Sequence, residues 1–595
     1  ASLPFELFYN SLETSDTPLG KGWSHTYNLS LVEGSTWISL KLGNGDSILF
    51  TADGSGSYQP DPKSGDTSVM SINNDGTYKR TFKDGTIQTF NTTAKLSSIK
   101  DLNGNTLSLY YSNNLLYYMY DSATGLTLNL TASNGRLATI RDSLNRTTTF
   151  TYTNNLLTSV TGPAGDTWQY VYDANGRMIQ KTDPLGYQST NSYDTNGKLI
   201  SSTDPEGKTK SISYDSATNT STITDKDGSI WHQQYDPDIN AVTAKIDALG
   251  NTTSYSYDTK GNLLTQTAPN GATTSYTYDS NSNLLTETDP LGNTTRYTYN
   301  DLSLITSITD PKGNITSYTY DTKGNLTAIT DPAGAVTSLI NNTKGYVTQL
   351  TDPRGGITKL AYDSTNNLTT LTDPLGKITR FTYDIVGNLL TSTDPNNNIT
   401  SYAYNALNQR IKITDPKGNI TQLNYDFKGN LVSATDAKGN PTSFTHNYRG
   451  QTTGITNALN QITQLQYGAS GCSSCNSGNG KLSQLTDALN NSTSYQYDTL
   501  GRLQTETDPL GNSTSYQYDS IGNLTQKTNP NNTTISYRYD ANNRLIEKTT
   551  PEGTTSYQYD QNNNLITAAN PFISYSMIYD TTKRLTRITD ANNNS

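Results

Sequence analysis

The sequence predicts an all-β fold, and three observations predict it. Asp289, Asp310, Asp331, Asp352, Asp373, Asp394, Asp415 and Asp436 fall at successive steps of 21 residues, most of them followed by Pro and, two residues later, by Gly. Between them recurs a Tyr-Asp marker, as at Tyr278-Asp279, Tyr320-Asp321, Tyr362-Asp363 and Tyr383-Asp384. The aromatic content is one-sided, with 42 Tyr against 10 Phe. A fixed period of this size marks a tandem-repeat architecture, in which each unit buries its surface against its neighbours. The chain therefore reads first as a scaffold.

Composition narrows the class. Of 595 residues, 32% are hydrophobic and 16% charged, both below the ~45–50% and ~25% of ordinary globular chains. Disorder is excluded because aromatic residues are spread evenly, whereas disordered segments lack them. Tyr carries a large apolar ring with a polar tip, so the packed face of the sheet is expected to look onto a narrow or solvated interior. The net charge of −10 and the lack of a basic stripe argue against a nucleic-acid partner. No run of ~18 apolar residues predicts a membrane-spanning helix. The chain opens at Ala1 without the charged and apolar runs of a signal peptide; a processed start and a fragment both fit.

The stretch from Thr273 to Gly292 shows the unit. Strands are expected over 274–278 and 284–288, where β-branched and aromatic residues lie between turn residues. Asp289-Pro290-Leu291-Gly292 matches a type I turn, and Asp321-Thr322-Lys323-Gly324 shares its Asp-x-x-Gly frame. Each Asp is expected to bond backbone amides of its own turn, and each Gly to take the left-handed conformation. An odd repeat length sets a parity condition, because a one-residue slip inverts a strand. With no bulge inside the strands, the loops must differ in parity. That predicts a three-residue loop with a glycine bulge after Tyr-Asp and an even-length loop at Asp-Pro. Tyr278 then faces Leu284, and Tyr276 faces Thr286. Tyr320, Leu326, Tyr383 and Leu389 continue the ladder, each cross-strand pair contributing ~0.2–1 kcal/mol.

From Asp183 to Asp590 about 20 repeats supply roughly 40 strands, and at ~4.8 Å each the sheet spans ~190 Å. Open sheets rarely exceed ~10 strands without curling. The predicted fold is thus a long antiparallel sheet of tandem hairpins wound into a hollow spiral shell or tube, Tyr/Leu face inward and Thr/Ser face to water. The spacing drifts to 22 residues between Asp225 and Asp247, 30 between Asn457 and Asp487, and 20 between Asn570 and Asp590; local bulges or shortened turns are expected there. Residues 1–100 are assigned to an N-terminal β region, and 101–595 to the repeat ribbon with a Cys-containing insertion near 468–480.

The unit Tyr-Asp-x-x-Gly-Asn-Leu, followed by Thr-Asp-Pro-x-Gly-Asn, resembles the YD repeat of bacterial Rhs proteins and animal teneurins. It stands at Tyr257 to Leu263, Tyr383 to Leu389 and Tyr518 to Leu524, and the resemblance covers about 100–595. Phe8-Tyr9-Asn10-Ser11 and Leu19-Gly20-Lys21-Gly22-Trp23-Ser24-His25 resemble the segment that precedes Rhs repeats. The resemblance implies a cocoon-like β-shell, usually secreted or displayed at the cell surface. In bacterial toxins of the family the shell encloses a C-terminal toxin behind a self-cleaving Pro-x-x-x-x-Asp-Pro-x-Gly-Leu boundary. No such boundary occurs up to Ser595. A ribbon ending at Asp590-Ala591-Asn592-Asn593-Asn594-Ser595 exposes a strand edge that invites pairing, and head-to-tail contacts that do not close make filaments.

Residues for chemistry are sparse, and no catalytic residue, metal site or cofactor site is assigned. His25, His232 and His446 are the histidines; no two have zinc-protease spacing. His446 stands where other repeats place Tyr, and His25, beside Trp23, reads as a packing residue. The recurrent Asp residues read as turn residues rather than calcium ligands, since neither an EF-hand nor a Gly-Gly-x-Gly-x-Asp repeat is present. Cys472 and Cys475 form half a zinc site at most, and a local disulfide in an exposed loop is the preferred reading. Asn251, Asn293, Asn314, Asn325, Asn398, Asn419 and Asn512 head Asn-x-Ser/Thr sequons, at turns where N-linked carbohydrate is able to attach; turn chemistry alone also explains them. The leading function is a non-catalytic extracellular scaffold, at a cell surface or in a matrix, self-associating head-to-tail into a fibre. The alternative is a delivery shell whose toxin lies outside this chain.

Overall fold

The computed structural model describes residues 3–468, 480–592 and 594. Apart from one short 3-10 turn, Pro62–Ser64, the elements among the described residues are β-strands. Leu7–Tyr9 pairs with Trp23–His25 in a small sheet of their own, and fifty-four strands, from Ser30–Glu33 to Leu585–Asp590, belong to one antiparallel sheet. The chain divides into two compact units: Ala1–Ser211 with Tyr320–Thr327 and Thr337–Gln461, and Ile212–Thr319 with Ala328–Val336 and Ile462–Ser595.

The hairpin Thr273–Tyr278/Leu284–Thr288 has the expected strands. Asp289 builds its turn as its side chain permits: Oδ1 accepts the amides of Leu291 and Asn293, each at 2.9 Å, and Oδ2 accepts the Asn293 side chain at 2.9 Å. Gly292 donates back to the Asp289 carbonyl at 2.9 Å with φ of +82°, a conformation that costs Gly little. The Tyr-Asp turn is built alike, with Asp279 Oδ1 accepting from Asn281 and Asn283 and Ser282 at φ +62°. These bonds stabilise the ionised carboxylate. At Asp394, Asp415, Asp436 and Asp508, the returning Asn side chain and then the backbone amides hold the carboxyl below its ordinary value.

The strand register departs from the parity expectation. Tyr278 faces Leu284 as expected, but Tyr276 faces Glu287, and Thr286 faces Thr277. Both loops hold three residues between their Asp and Asn, so the Asp-Pro loop is odd, not even. The extra residue is absorbed within the second strand, where the register shifts between Thr277 and Tyr278. The same shift recurs in hairpin after hairpin, as at Thr298/Tyr299 and Ala361/Tyr362. It puts the first and fourth residues of the second strand on the tyrosine face: Ile305 and Ile308 opposite Tyr299 and Tyr297, Leu368 and Leu371 opposite Tyr362 and Leu360.

The bulge explains the choice of Tyr over Phe. The ladder between one hairpin and the next ends at Thr286↔Arg296, short of the Leu284 carbonyl. The Tyr299 hydroxyl donates to that carbonyl at 2.8 Å, across 15 residues of chain. The bond recurs as Tyr257 to Val242, Tyr362 to Val347, Tyr404 to Leu389, Tyr497 to Leu482 and Tyr518 to Leu503. Asn341 replaces Tyr in this column and its amide makes the same bond to Leu326. The column two residues earlier, lacking that task, accepts Leu360, Phe381 and Phe444.

Burial follows the faces. Along strands such as Thr252–Tyr257 and Ile357–Tyr362, residues of the Tyr face are half-buried and their alternates exposed. On the outer face hydroxyls pair across strands, Thr277 with Thr286 at 2.6 Å and Thr288 with Thr294 at 2.9 Å. Among the described residues the deep apolar cluster lies early, around Trp23, Ile38, Phe50, Met70, Phe90, Met119, Phe150 and Leu157. Beyond Met178 the buried apolar residues among those described are Ala244 and Val386.

The spacing anomalies are turn changes. The 22-residue interval lengthens the turn after Asp236, where Asp236 pairs Ala241, and the 20-residue interval shortens the turn that Asn570 closes onto Ile573. Around the insertion, Tyr467 still pairs Leu482.

Two outcomes follow. Tyr299→Phe removes the donor to Leu284 and should cost about 0.5–1.5 kcal/mol, measured as faster amide exchange across residues 284–299; Tyr318→Phe, in the permissive column, should change exchange by less. Because the turn carboxyls sit below their ordinary value when folded, their stabilisation is complete above the unfolded value of ~3.9 and lost as pH falls through the folded values. Asp415→Asn, tested by urea unfolding at pH 6 and pH 3, should lose stability at pH 6 and show a smaller fall between the two.

Candidate functional site

The N-terminal segment lies on the tyrosine face of the first unit. It is held where the latch bonds of successive hairpins are reachable. Trp23 Nε1 donates at 2.7 Å to the Tyr172 hydroxyl, which donates at 2.5 Å to the Leu157 carbonyl. The Met178 amide donates at 2.7 Å to the Tyr9 hydroxyl. Leu137 N–H bonds the Pro18 carbonyl at 2.9 Å, and Arg136 holds the Thr17 carbonyl and, at 2.7 Å, the Asp16 carboxylate. These contacts come from Tyr9, from Asp16, Thr17 and Pro18, and from Trp23.

His25 is buried and stacked on Phe5, ring centroids 4.6 Å apart. Burial first, and the nearby Lys95 charge second, push its imidazole down to about 3, so it is neutral at physiological pH. A cavity of about 510 Å³ lies beside Phe5, with Leu3, Phe150, Trp168 and Tyr170 among its apolar walls and Arg146 and Lys181 among its charged ones. The Lys181 ammonium rests 4.1 Å from the Trp168 ring centroid.

A second set of contacts joins hairpin tips far apart in sequence. In the first unit, Lys428 pairs with Asp183 at 2.8 Å, and Asp204 accepts from the Tyr448 hydroxyl at 2.5 Å and from Arg449 at 3.3 Å across 245 residues. In the second unit, Asn542 donates to Asp289 and Asn562 to Asp310, both at 2.6 Å, across 253 and 252 residues. Within each unit the ribbon therefore meets itself after about twelve repeats, Asp-Pro tips against Tyr-Asp tips. Periodicity does not reveal these partners; the one sequence signal is the Lys, Arg or Asn at the third residue of the Tyr-Asp turn.

The seven sequon asparagines all return their side-chain amide to the turn carboxylate, as Asn251 does to Asp247, Asn293 to Asp289, Asn314 to Asp310, Asn325 to Asp321, Asn398 to Asp394, Asn419 to Asp415 and Asn512 to Asp508. Asn398, Asn419 and Asn512 are exposed. Cys472 and Cys475 lie outside the described residues. His446 occupies the latch column opposite Thr452, and His232 Nδ1 lies 3.0 Å from the Thr222 hydroxyl. Among the described residues no three His, Cys, Asp or Glu gather as a metal site, and no helix is long and apolar enough to cross a membrane.

A bulged, tyrosine-latched hairpin ribbon of this kind is a shell-type repeat scaffold. The chain belongs to the Teneurin YD-shell family, which matches residues 68–205 and 206–412, more than half of its length. The RHS Repeat matches 477–513, 497–534, 518–555 and 539–572, and residues 1–51 match a Domain of unknown function (DUF6531). No curated protein matches the sequence. The fold is similar to the crystal structure of TcdB2-TccC3-Cdc42, at TM-score 0.57 and 13% identity over 86% of this chain and 40% of that one. It is similar also to TcdB2-TccC3-TEV, at TM-score 0.58 and 13% identity over 99% and 38%. The chain thus spans about two fifths of the length of these matched chains.

A buried neutral histidine destabilises the fold as pH falls, because only the unfolded state takes up its proton from the ordinary ~6.5 downward. The thermal midpoint of the parent should drop between pH 7 and pH 4.5, and His25→Phe should flatten that drop.

Proposed function

We propose that this chain is a non-catalytic wall that works outside the cell and encloses a polypeptide cargo lying beyond the chain itself. The observation that carries the reading is the return of the ribbon onto itself after about twelve repeats within each unit, in a scaffold whose one face is lined by half-buried tyrosines. Such a face offers aromatic rings and hydroxyls, which suits contact with unfolded chain without a specific lock. Likeness in fold to the TcdB2-TccC3 structures supports the enclosing use. A second reading is a head-to-tail fibre of the same wall at a cell surface or in a matrix. N-linked carbohydrate at the exposed Asn398, Asn419 and Asn512, and a Cys472–Cys475 disulfide, belong to the same extracellular proposal. So does a boundary near residue 100: the register shift absent from the pairings of Trp37–Lys41 and Ile87–Phe90 with the strands before them first appears at Leu96/Ser98.

The test is electron microscopy of the purified chain, alone and extended after Ser595 by a reporter polypeptide. Hollow bodies that shield the reporter from added protease are expected. Solid rods, with the reporter digested as fast as when free, would overturn the enclosing reading.

A further inference from the structure

A smaller cavity, of about 30 Å³, lies in the first unit where the N-terminal segment meets the early wall. A single water needs roughly 10–15 Å³, so the space takes one small particle and nothing larger. Leu130 and Leu137 are among its apolar walls, and Lys95, His25, Tyr27 and Tyr111 among its polar ones. No Asp or Glu lines it.

These four side chains bring donors without acceptors. Among the described residues Lys95 forms no ion pair, and the hydroxyls of Tyr27 and Tyr111 make no hydrogen bond. Tyr27 is 5% exposed, and a buried phenol ordinarily finds a partner. The Tyr27 backbone amide donates to His25 Nδ1 at 3.3 Å, which leaves the neutral imidazole its proton on Nε2, a further donor. The Lys95 charge is felt at the His25 ring. Burial, and behind it the Lys41 charge, holds the Lys95 ammonium below its ordinary value, and burial raises the Tyr111 hydroxyl.

The acids nearby are engaged elsewhere. Glu13 pairs with Lys41 at 2.5 Å. Asp121, whose charge reaches Tyr27, accepts from the Ala123 amide at 3.0 Å and the Thr124 hydroxyl at 2.5 Å. A partly buried cation with no countercharge is costly, and hydrogen bonds to an ionised partner are the strong ones. A water in this space brings no charge. A monatomic anion brings one and accepts from every side.

We propose that the cavity walled by Lys95, His25, Tyr27 and Tyr111 binds a halide-sized monovalent anion, chloride in ordinary salt. Bound there, the ion ties His25 and Tyr27 of the N-terminal segment to Lys95 and Tyr111 of the wall. The site does not rest on the enclosing reading: it concerns how the first unit is held together, whatever the wall contains.

The test follows thermal unfolding of the full chain at pH 7 in sodium chloride, bromide or gluconate at one ionic strength. A ligand taken up by the folded state alone raises the midpoint as its concentration rises. The midpoint should climb with chloride and with bromide replacing gluconate. Lys95→Met should abolish the climb, and Lys41→Met, which removes the same charge outside the cavity, should keep it. Chloride NMR line broadening by the folded chain, displaced by bromide, needs no unfolding. Tyr111→Phe, which deletes one hydroxyl, should weaken the binding it reports about tenfold. Equal midpoints in chloride and gluconate, a Lys95→Met chain that keeps the climb, or broadening unchanged by Tyr111→Phe would each overturn the proposal. Where Lys95→Met fails to fold, the Tyr111→Phe comparison decides alone.

Discussion

A single extra residue in the second strand of each hairpin governs the rest of the structure. It shifts the register beside the Tyr-Asp turn, leaves the leading Leu carbonyl beyond the end of the next ladder, and so creates an acceptor that the following hairpin must meet. A buried carbonyl without a partner is costly, and the phenol of Tyr299 reaches the Leu284 carbonyl because its ring already lies on that face. Each hairpin is thereby bonded to its successor by a side chain as well as by strand pairing. That is how a chain with little deep core beyond Met178 extends over so many strands.

The polar edges follow from the same economy of means. The Asp-x-x-Gly-Asn turn stabilises itself through its carboxylate, and one oxygen of that carboxylate retains capacity for a second donor. Turn tips that must be polar to form the hairpin thus become the seats by which one winding holds the next. The N-terminal segment uses the equivalent opportunity on the tyrosine face, with Trp23 feeding the Tyr172 latch and Tyr9 taking the Met178 amide. Strength is distributed, with a dense apolar cluster at the start of the chain and repeated small contributions after it.

Much of this was legible in the residues. Strand positions, the Asp and Gly roles, the Tyr278–Leu284 pairing and the packing role of His25 could all be argued from local chemistry. The bulge was also written there, in pairs such as Ile305 and Ile308 or Leu368 and Leu371, whose spacing of three is wrong for an unbroken strand. Parity reasoning assumed regular strands, and it misplaced Tyr276 and the Asp-Pro loop. Neither the latch nor the seam was foreseen, because each joins residues by geometry: 15 residues apart across two hairpins, or about 245 apart across a full winding.

The division has a physical basis. Period, turn type and face are properties of a few neighbouring residues, set by side-chain alternation and by the hydrogen bonds an Asp can make to its own turn, and the chain order alone decided them. Which tip sits on which, and which carboxylates are thereby buried, depends on the curvature summed over some two dozen strands. A small twist per strand accumulates, and no local pattern states its total. The folded ribbon alone brought Lys428 to Asp183 and Asn542 to Asp289.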